Sequence, residues 1–372
     1  MNTAESLSKI GKFELCEVDY KQVMLWAGQL DLNPEYFLMI LENTKCRLKE
    51  VSFSIIQGHI KTLTWDFDML PLNQFELLEG MELHTMRFRK SCPDGVLHLN
   101  IPTMVELDCA GTRLYELHIS TAPFLTNLEC AGNRLTELKL PPTPLLASLD
   151  FHSNQLNTLD LSGLPKLMAI NCAHNQISEL DFSHNPLLEK INCLHNHLSN
   201  LDLSAVTQLK WLECGINNLS TLDLSSASKL EILWCQINNL THLVLSNVPM
   251  LIVLQCFKNK ITELDLSMVP NLKSLDCGEN EIRGLELSAA QGLIHLGCNR
   301  NQILTLNLSM NPLLECLRCT NNRIYSLDLL NNPSLSRLDC DHSVSLKING
   351  ASLKLFKVNV GYNHIEIKSL ID

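Results

Sequence analysis

Aromatic residues are scarce in this chain: Phe, Trp and Tyr together make up 5% of its 372 residues. A globular core of enzyme size usually draws on more of them, so the apolar content of 45% must be packed in another way. Positive charge is also short, with 29 Lys and Arg against 40 Asp and Glu, a net charge of -11. This balance argues against a nucleic-acid backbone or an anionic membrane surface as the main partner. No apolar run reaches the ~18 residues that a membrane span needs, so no membrane insertion is expected. Met1 to Cys16 has no apolar core of a secretory signal, and none is read there.

Cysteine, by contrast, is abundant, at 15 residues. Eleven of them recur at a spacing of 21 residues: Cys109, Cys130, Cys172, Cys193, Cys214, Cys235, Cys256, Cys277, Cys298, Cys319 and Cys340, with Phe151 on the one missing rung. A period this strict describes one small unit stacked many times, and it decides the fold before any motif is read. The unit reads L-x-x-L-x-C-x-x-N-x-[LI]-x-x-L-D-L-S-x-x-P-x. Its L-x-C segment alternates with period two, which predicts a short strand with Leu and Cys on the inward side. An identical strand one unit later must lie parallel beside it, ~4.8 Å away. Crossovers this short build a solenoid.

Asn recurs at positions 133, 154, 175, 196, 217, 238, 259, 280, 301 and 322, where the chain leaves the strand. A buried carboxamide there can satisfy the backbone groups that the bend exposes and tie one coil to the next. Ser162, Ser183, Ser204, Ser225, Ser246, Ser267, Ser288 and Ser309 mark the turn onto the return limb, often followed by Pro. About ten residues remain for the convex side, so extended segments or short 3₁₀ turns are expected there instead of full helices. Asp160, Asp181, Asp202 and Asp223 make a like-charge column that costs stability unless each carboxylate is hydrogen-bonded or solvated.

These residues resemble the leucine-rich repeat family, in particular the short-repeat bacterial proteins of the secreted-effector type. The resemblance implies a β-rich (α+β) solenoid, a right-handed superhelix with a parallel concave sheet. The solenoid is expected over residues 81–372, with Phe88 on the rung of a degenerate first coil and Val360 and Asn363 on the rungs of an irregular last one. Residues 1–80 lack the period and read as a helical cap, with a break at Asn33-Pro34 that starts a helix. An alternative takes Leu32 to Ile56 as an adaptor-binding module, similar to the helices that precede repeats in F-box proteins. The chain would then be the substrate receptor of a ubiquitin ligase.

The inward columns are core, so partner contacts must come from the outward ones. These carry a cluster of Trp211, Ile232, Trp234, Val253 and Phe257, flanked by Leu194, with Lys190, Glu213, Arg318 and Arg337 as the charged contacts around it. Aromatic patches with polar rims are the usual anchors of protein–protein contacts. Cys316-x-x-Cys319 has redox or metal spacing, but residues three apart in a strand face opposite ways. The cysteine ladder points into an apolar stack with no carboxylate or imidazole to share a metal. No metal, cofactor or catalytic set is therefore expected. The expectation is a monomeric, non-catalytic protein-binding scaffold that works in a reducing cytosol. The resemblance adds an effector role in a host cell, reached by a non-Sec route and directed at a host protein. Ubiquitin-ligase activity of the kind some such effectors carry is not expected, because the sequence ends with its last coil.

Overall fold

Strand, bend and return limb follow one another once per unit, and the strand is only three residues long. The computed structural model describes residues 7–43, 53–71, 75, 77–348, 357–358 and 367–369. The chain divides into two compact units, Met1–Ile177 and Ser178–Asp372.

The first unit begins with a hairpin of β1 (Ser8–Ile10) and β2 (Phe13–Leu15), followed by helices α1 (Glu17–Gln29) and α2 (Pro34–Asn43). Asn33 caps α2, its side-chain oxygen accepting from the N–H groups of Glu35 at 2.9 Å and Tyr36 at 3.2 Å. Pro34 occupies the first helical position, where no amide hydrogen is needed. The helix predicted to start at Asn33-Pro34 is present. The buried face of α1 carries Asp19, Gln22, Val23, Trp26 and Ala27, a helical spacing that sets Trp26 against Trp65, Phe37 and Phe75. Half of the chain's tryptophans thus lie in the core of the cap. The cap is not purely helical: β3 (Phe53–Ile56) and β4 (His59–Asp66) form an antiparallel hairpin. β4 then pairs in parallel with β5 (Thr85–Arg89), so the cap passes directly into the stack.

From β5 the parallel sheet continues through β7 (Glu106–Asp108), β9 (Asn127–Glu129), β10 (Ser148–Asp150) and β11 (Ala169–Asn171). Phe88 is fully buried, and the register of β5 with β7 places it on the cysteine ladder as expected. On the return limb, β6 (Val96–Leu99) pairs with β8 (Glu116–Ile119).

The second unit repeats the plan. Its sheet runs β12 (Lys190–Asn192), β13 (Trp211–Glu213), β14 (Ile232–Trp234), β15 (Val253–Gln255), β16 (Ser274–Asp276), β17 (His295–Gly297), β18 (Cys316–Arg318), β20 (Arg337–Asp339) and β22 (Lys357–Val358), all parallel. On the return limb lie β19 (Ser326–Asp328), β21 (Ser345–Ile348) and β23 (Ile367–Ser369). Partners across the sheet sit 21 residues apart through β18, as in Leu233 opposite Leu254, so the sequence period is the register. Among the described residues the repeats contain no helix, which fits a return limb of about ten residues. The expected rungs at Val360 and Asn363 lie outside the described residues.

The ladder asparagines tie coil to coil, as Asn259 shows. The Asn259 carboxamide donates to the carbonyls of Cys235 at 3.1 Å and Cys256 at 3.0 Å, and accepts from the Leu240 N–H at 3.0 Å. One side chain closes bonds on two successive coils. The like-charge column is resolved by local turns: Asp181, Asp202, Asp223 and Asp265 each accept from the backbone N–H of the Ser two residues on, at 2.8–2.9 Å. Those bonds hold the four carboxyls below the usual aspartate range.

Candidate partner-binding face

The middle residue of every ladder strand points inward, and its two neighbours point out. In β13 and β14, Leu212 and Leu233 are fully buried while Trp211, Ile232 and Trp234 are half-buried on the outward face. Register brings Trp211 beside Ile232, and Ile232 beside Val253. The two indoles meet edge to face, with ring centroids 6.0 Å apart and planes at 89°. An edge-to-face pair is a favoured arrangement of aromatic rings. The cluster is therefore tighter than separate exposed residues would be. Neither indole N–H has a hydrogen-bond partner, and neither does the Gln236 side-chain oxygen. Buried polar groups are nearly always paired, so three unpaired groups in adjacent coils mark the place as unusual.

Phe257 and Leu194, each one residue past its rung, are half-buried as well. Lys190 is exposed in β12, directly opposite Trp211. Glu213 departs from its expected role as an exposed contact. It is 7% exposed, and burial pushes its carboxyl up from the usual range. In the sheet register it lies opposite Trp234. Arg318 and Arg337 are exposed but stand apart: β18 lies four strand spacings from β14, ~19 Å at the usual separation. Both are drawn to one carboxylate, with Asp339 Oδ2 3.7 Å from Arg318 Nε and 3.1 Å from the Arg337 guanidinium. Between the aromatic cluster and this arginine pair is a shallow polar hollow lined by Gln255, Asp276, His295 and Arg318. Its floor is Gly297, where a Cβ would come within 2.9 Å of the Asp276 carboxylate.

One feature of this face escaped the sequence reading. Two residues past every rung from Cys109 to Cys319 the backbone turns left-handed, at Gly111, Gly132, Ser153, His174, His195, Ile216, Ile237, Lys258, Glu279, Arg300 and Asn321, with φ between 52° and 67°. This conformation costs an L-residue about 1–2 kcal/mol, and β-branched side chains tolerate it worst. Ile216 and Ile237 nevertheless hold it, each donating its N–H to the next coil, at 2.9 Å to the carbonyls of Gln236 and Phe257. Gly111, Gly132 and Asn321 were the available signal, since Gly and Asn suit this conformation. The two isoleucines hid it, and they flank the tryptophans.

The ladder thiols are core. Cys193 through Cys298 are all fully buried, and burial raises their pKa values, to about 12 for Cys235 and Cys277. A thiol held protonated in an apolar stack is a poor nucleophile. Cys316 is half-buried on the outward face while Cys319 is inside, as their spacing predicts.

A cluster outside the repeats was also missed. Cys16 immediately precedes α1, Asp19 lies in its first turn, and His59 opens β4. Their donor atoms converge: Cys16 Sγ is 2.7 Å from Asp19 Oδ2 and 3.2 Å from His59 Nδ1, which is itself 3.1 Å from Asp19 Oδ2. Among the described residues this is the one group of three or more His, Cys, Asp or Glu side chains close enough to hold a metal ion. The expectation of no metal set was read from the repeat columns and did not reach the cap. Cys16 and His59 stand 43 residues apart with no period to connect them.

No family model matches the sequence, and no curated protein does. Solved structures do. The functional domain of InlJ from Listeria monocytogenes, described as including a cysteine ladder, is similar at 24% identity and a TM-score of 0.62, covering 81% of this chain and 71% of that one. This chain has the leucine-rich repeat fold. YopM, a leucine-rich effector protein from Yersinia pestis, is similar at 27% identity and a TM-score of 0.62, covering 73% of this chain and 75% of that one. The leucine-rich repeat protein FLRT2, solved in an octameric complex with Latrophilin 3 and Unc5D, gives a TM-score of 0.55 at 19% identity, covering 69% of this chain and 89% of that one. The repeat thus resembles that of short-repeat bacterial proteins, an effector among them. No helix among the described residues is long and apolar enough to cross a membrane.

Proposed function

We propose that this leucine-rich repeat protein is a non-catalytic scaffold that binds a protein partner on the outward face of β12 to β15. The observation that carries the reading is the Trp211–Trp234 pair, an apolar cluster whose two indole N–H groups have no acceptor in the chain. A partner that lays apolar side chains on Ile232, Val253 and Phe257 beside the two indoles would bury the cluster. The solved complex containing FLRT2 supports protein binding as a use of this fold. The likeness to YopM supports a bacterial effector acting in host cytosol on a host protein, and free thiols at every described cysteine suit a reducing compartment.

The adaptor reading of Leu32–Ile56 gains no support from the cap. Helix α2 buries Phe37, Leu38 and Leu41, and residues 44–52 lie outside the described ones. The test is affinity capture from a host-cell lysate followed by calorimetry on the captured protein. Trp211→Ala and Trp234→Ala are each expected to weaken the complex by ~2 kcal/mol or more, with thermal stability little changed. Equal affinity in both variants would move the binding face elsewhere.

A further inference from the structure

We propose that Cys16, Asp19 and His59 form a binding site for a divalent transition-metal cation of the zinc class, set where cap helix α1 meets strand β4. Three donor atoms of different chemistry, from three places in the chain, lie 2.7–3.2 Å from one another. A single ion just outside their plane reaches all three at the ~2.0–2.3 Å of zinc–oxygen, zinc–nitrogen and zinc–sulfur bonds after a small spreading of the triangle. Thiolate, imidazole and carboxylate together select a borderline cation over calcium or magnesium, which prefer all-oxygen shells.

Charge points the same way. Cys16 is 2% exposed and Asp19 is fully buried. With the thiol proton released to solvent, a thiolate and a carboxylate carry two negative charges that a divalent ion neutralises. The ion pair of Asp19 is with His59.

The surroundings orient the ligands. Asp19 Oδ1 accepts from the Ile60 N–H at 2.8 Å, which leaves Oδ2 aimed at the other two donors. The Cys16 N–H donates to the Gly58 carbonyl at 2.9 Å. On the far side of the imidazole, Nε2 lies 3.8 Å from Glu82 Oε1, and Glu82 is held by Lys61. A carboxylate behind a ligating histidine fixes which ring nitrogen faces the metal. The His59 side chain is 16% exposed, so the cluster has one member at the surface.

The same residues do not make a thiol nucleophile. Such a triad needs the acid on one imidazole nitrogen and the thiol on the other, whereas here both meet Nδ1. Burial and the hydrogen bond to Asp19 also raise the Cys16 thiol to about 11. The competing account is a metal-free hydrogen-bonded staple between α1 and β4.

The test uses the full chain, stripped with a chelator and titrated with cobalt(II), then with zinc. The site predicts one cobalt per chain, a thiolate-to-cobalt charge-transfer band, displacement by zinc, and a rise in Tm with zinc that magnesium does not produce. Cys16→Ser and His59→Asn should each abolish the band and weaken binding at least 100-fold. Cys316→Ser, which removes the half-exposed thiol, should change neither. Glu82→Gln should weaken binding about 10–100-fold. A wild-type chain that takes up no stoichiometric cobalt overturns the site without reference to any variant. A band that survives Cys16→Ser in a folded chain overturns it as well.

Discussion

Asn259 illustrates how much of this molecule is decided by single polar side chains in an apolar stack. Its carboxamide meets two carbonyls and one N–H from two coils, and no water or regular ladder could replace it there. Asn259→Ala would leave those groups buried and unpaired, an expected loss of about 2–4 kcal/mol read from the urea midpoint. The left-handed residues are the opposite case. Ile216 and Ile237 sit where Gly or Asn would be easier, beside the two tryptophans. Strain kept at a surface site is a pointer to use, and here it coincides with the apolar cluster on independent grounds. Glu213 adds a third instance, a buried carboxylate opposite Trp234 in the sheet.

At the scale of the coil, the three-residue strand, the Asn bend and the Asp–Ser turn are each too small to fold alone and complete one another only in a stack. Deleting residues 262–282, one whole period inside the second unit, should therefore leave a folded chain with a cooperative melt. Deleting residues 262–281 instead sets the Leu and Cys of the next coil one position out of phase with the coil before them, and at that one junction it should lower the melting temperature relative to the whole-period deletion. Circular dichroism on heating separates the two outcomes. The coil was legible in the sequence because a period displays each position many times over, so Leu, Cys, Asn and Ser columns averaged out local noise. The left-handed bend was not legible, because its column mixes Gly, Ser, His, Ile, Lys, Glu, Arg and Asn, and backbone geometry there is shared without a shared side chain. The cap was legible only at Asn33-Pro34. Cys16, Asp19 and His59 meet through tertiary packing, and no spacing announces them. In the outward columns, alternation placed Trp211 and Trp234, but it could not show that Glu213 would be covered or that Arg318 and Arg337 would share Asp339.

Over the whole chain, charge sets the response to pH. The carboxyls of Asp181, Asp202, Asp223 and Asp265 are lowered chiefly by backbone hydrogen bonds, so the folded state holds their protons less tightly than the unfolded one. Their contribution is present above the ordinary aspartate range and is lost as pH falls through the depressed values. Glu129, Glu213 and Asp276 are shifted the other way, mainly by burial, and they favour the folded state as pH falls toward the ordinary carboxylate range. Stability is expected to hold at mildly acidic pH and to fall away steeply only at strongly acidic pH. Asp202→Asn, which keeps the acceptor and removes the titration, should flatten the acid limb of Tm against pH.

The buried thiols have a consequence for kinetics. From Cys193 to Cys298 a silent sulfhydryl sits in every coil at equal intervals, sealed from reagents while its coil is closed. Each is a clock for the breathing of its own coil. Alkylation followed by peptide mass spectrometry would time six successive openings in one experiment, with no label introduced. If the stack frays from an end, the clocks run in sequence. If it opens as a block, they strike together.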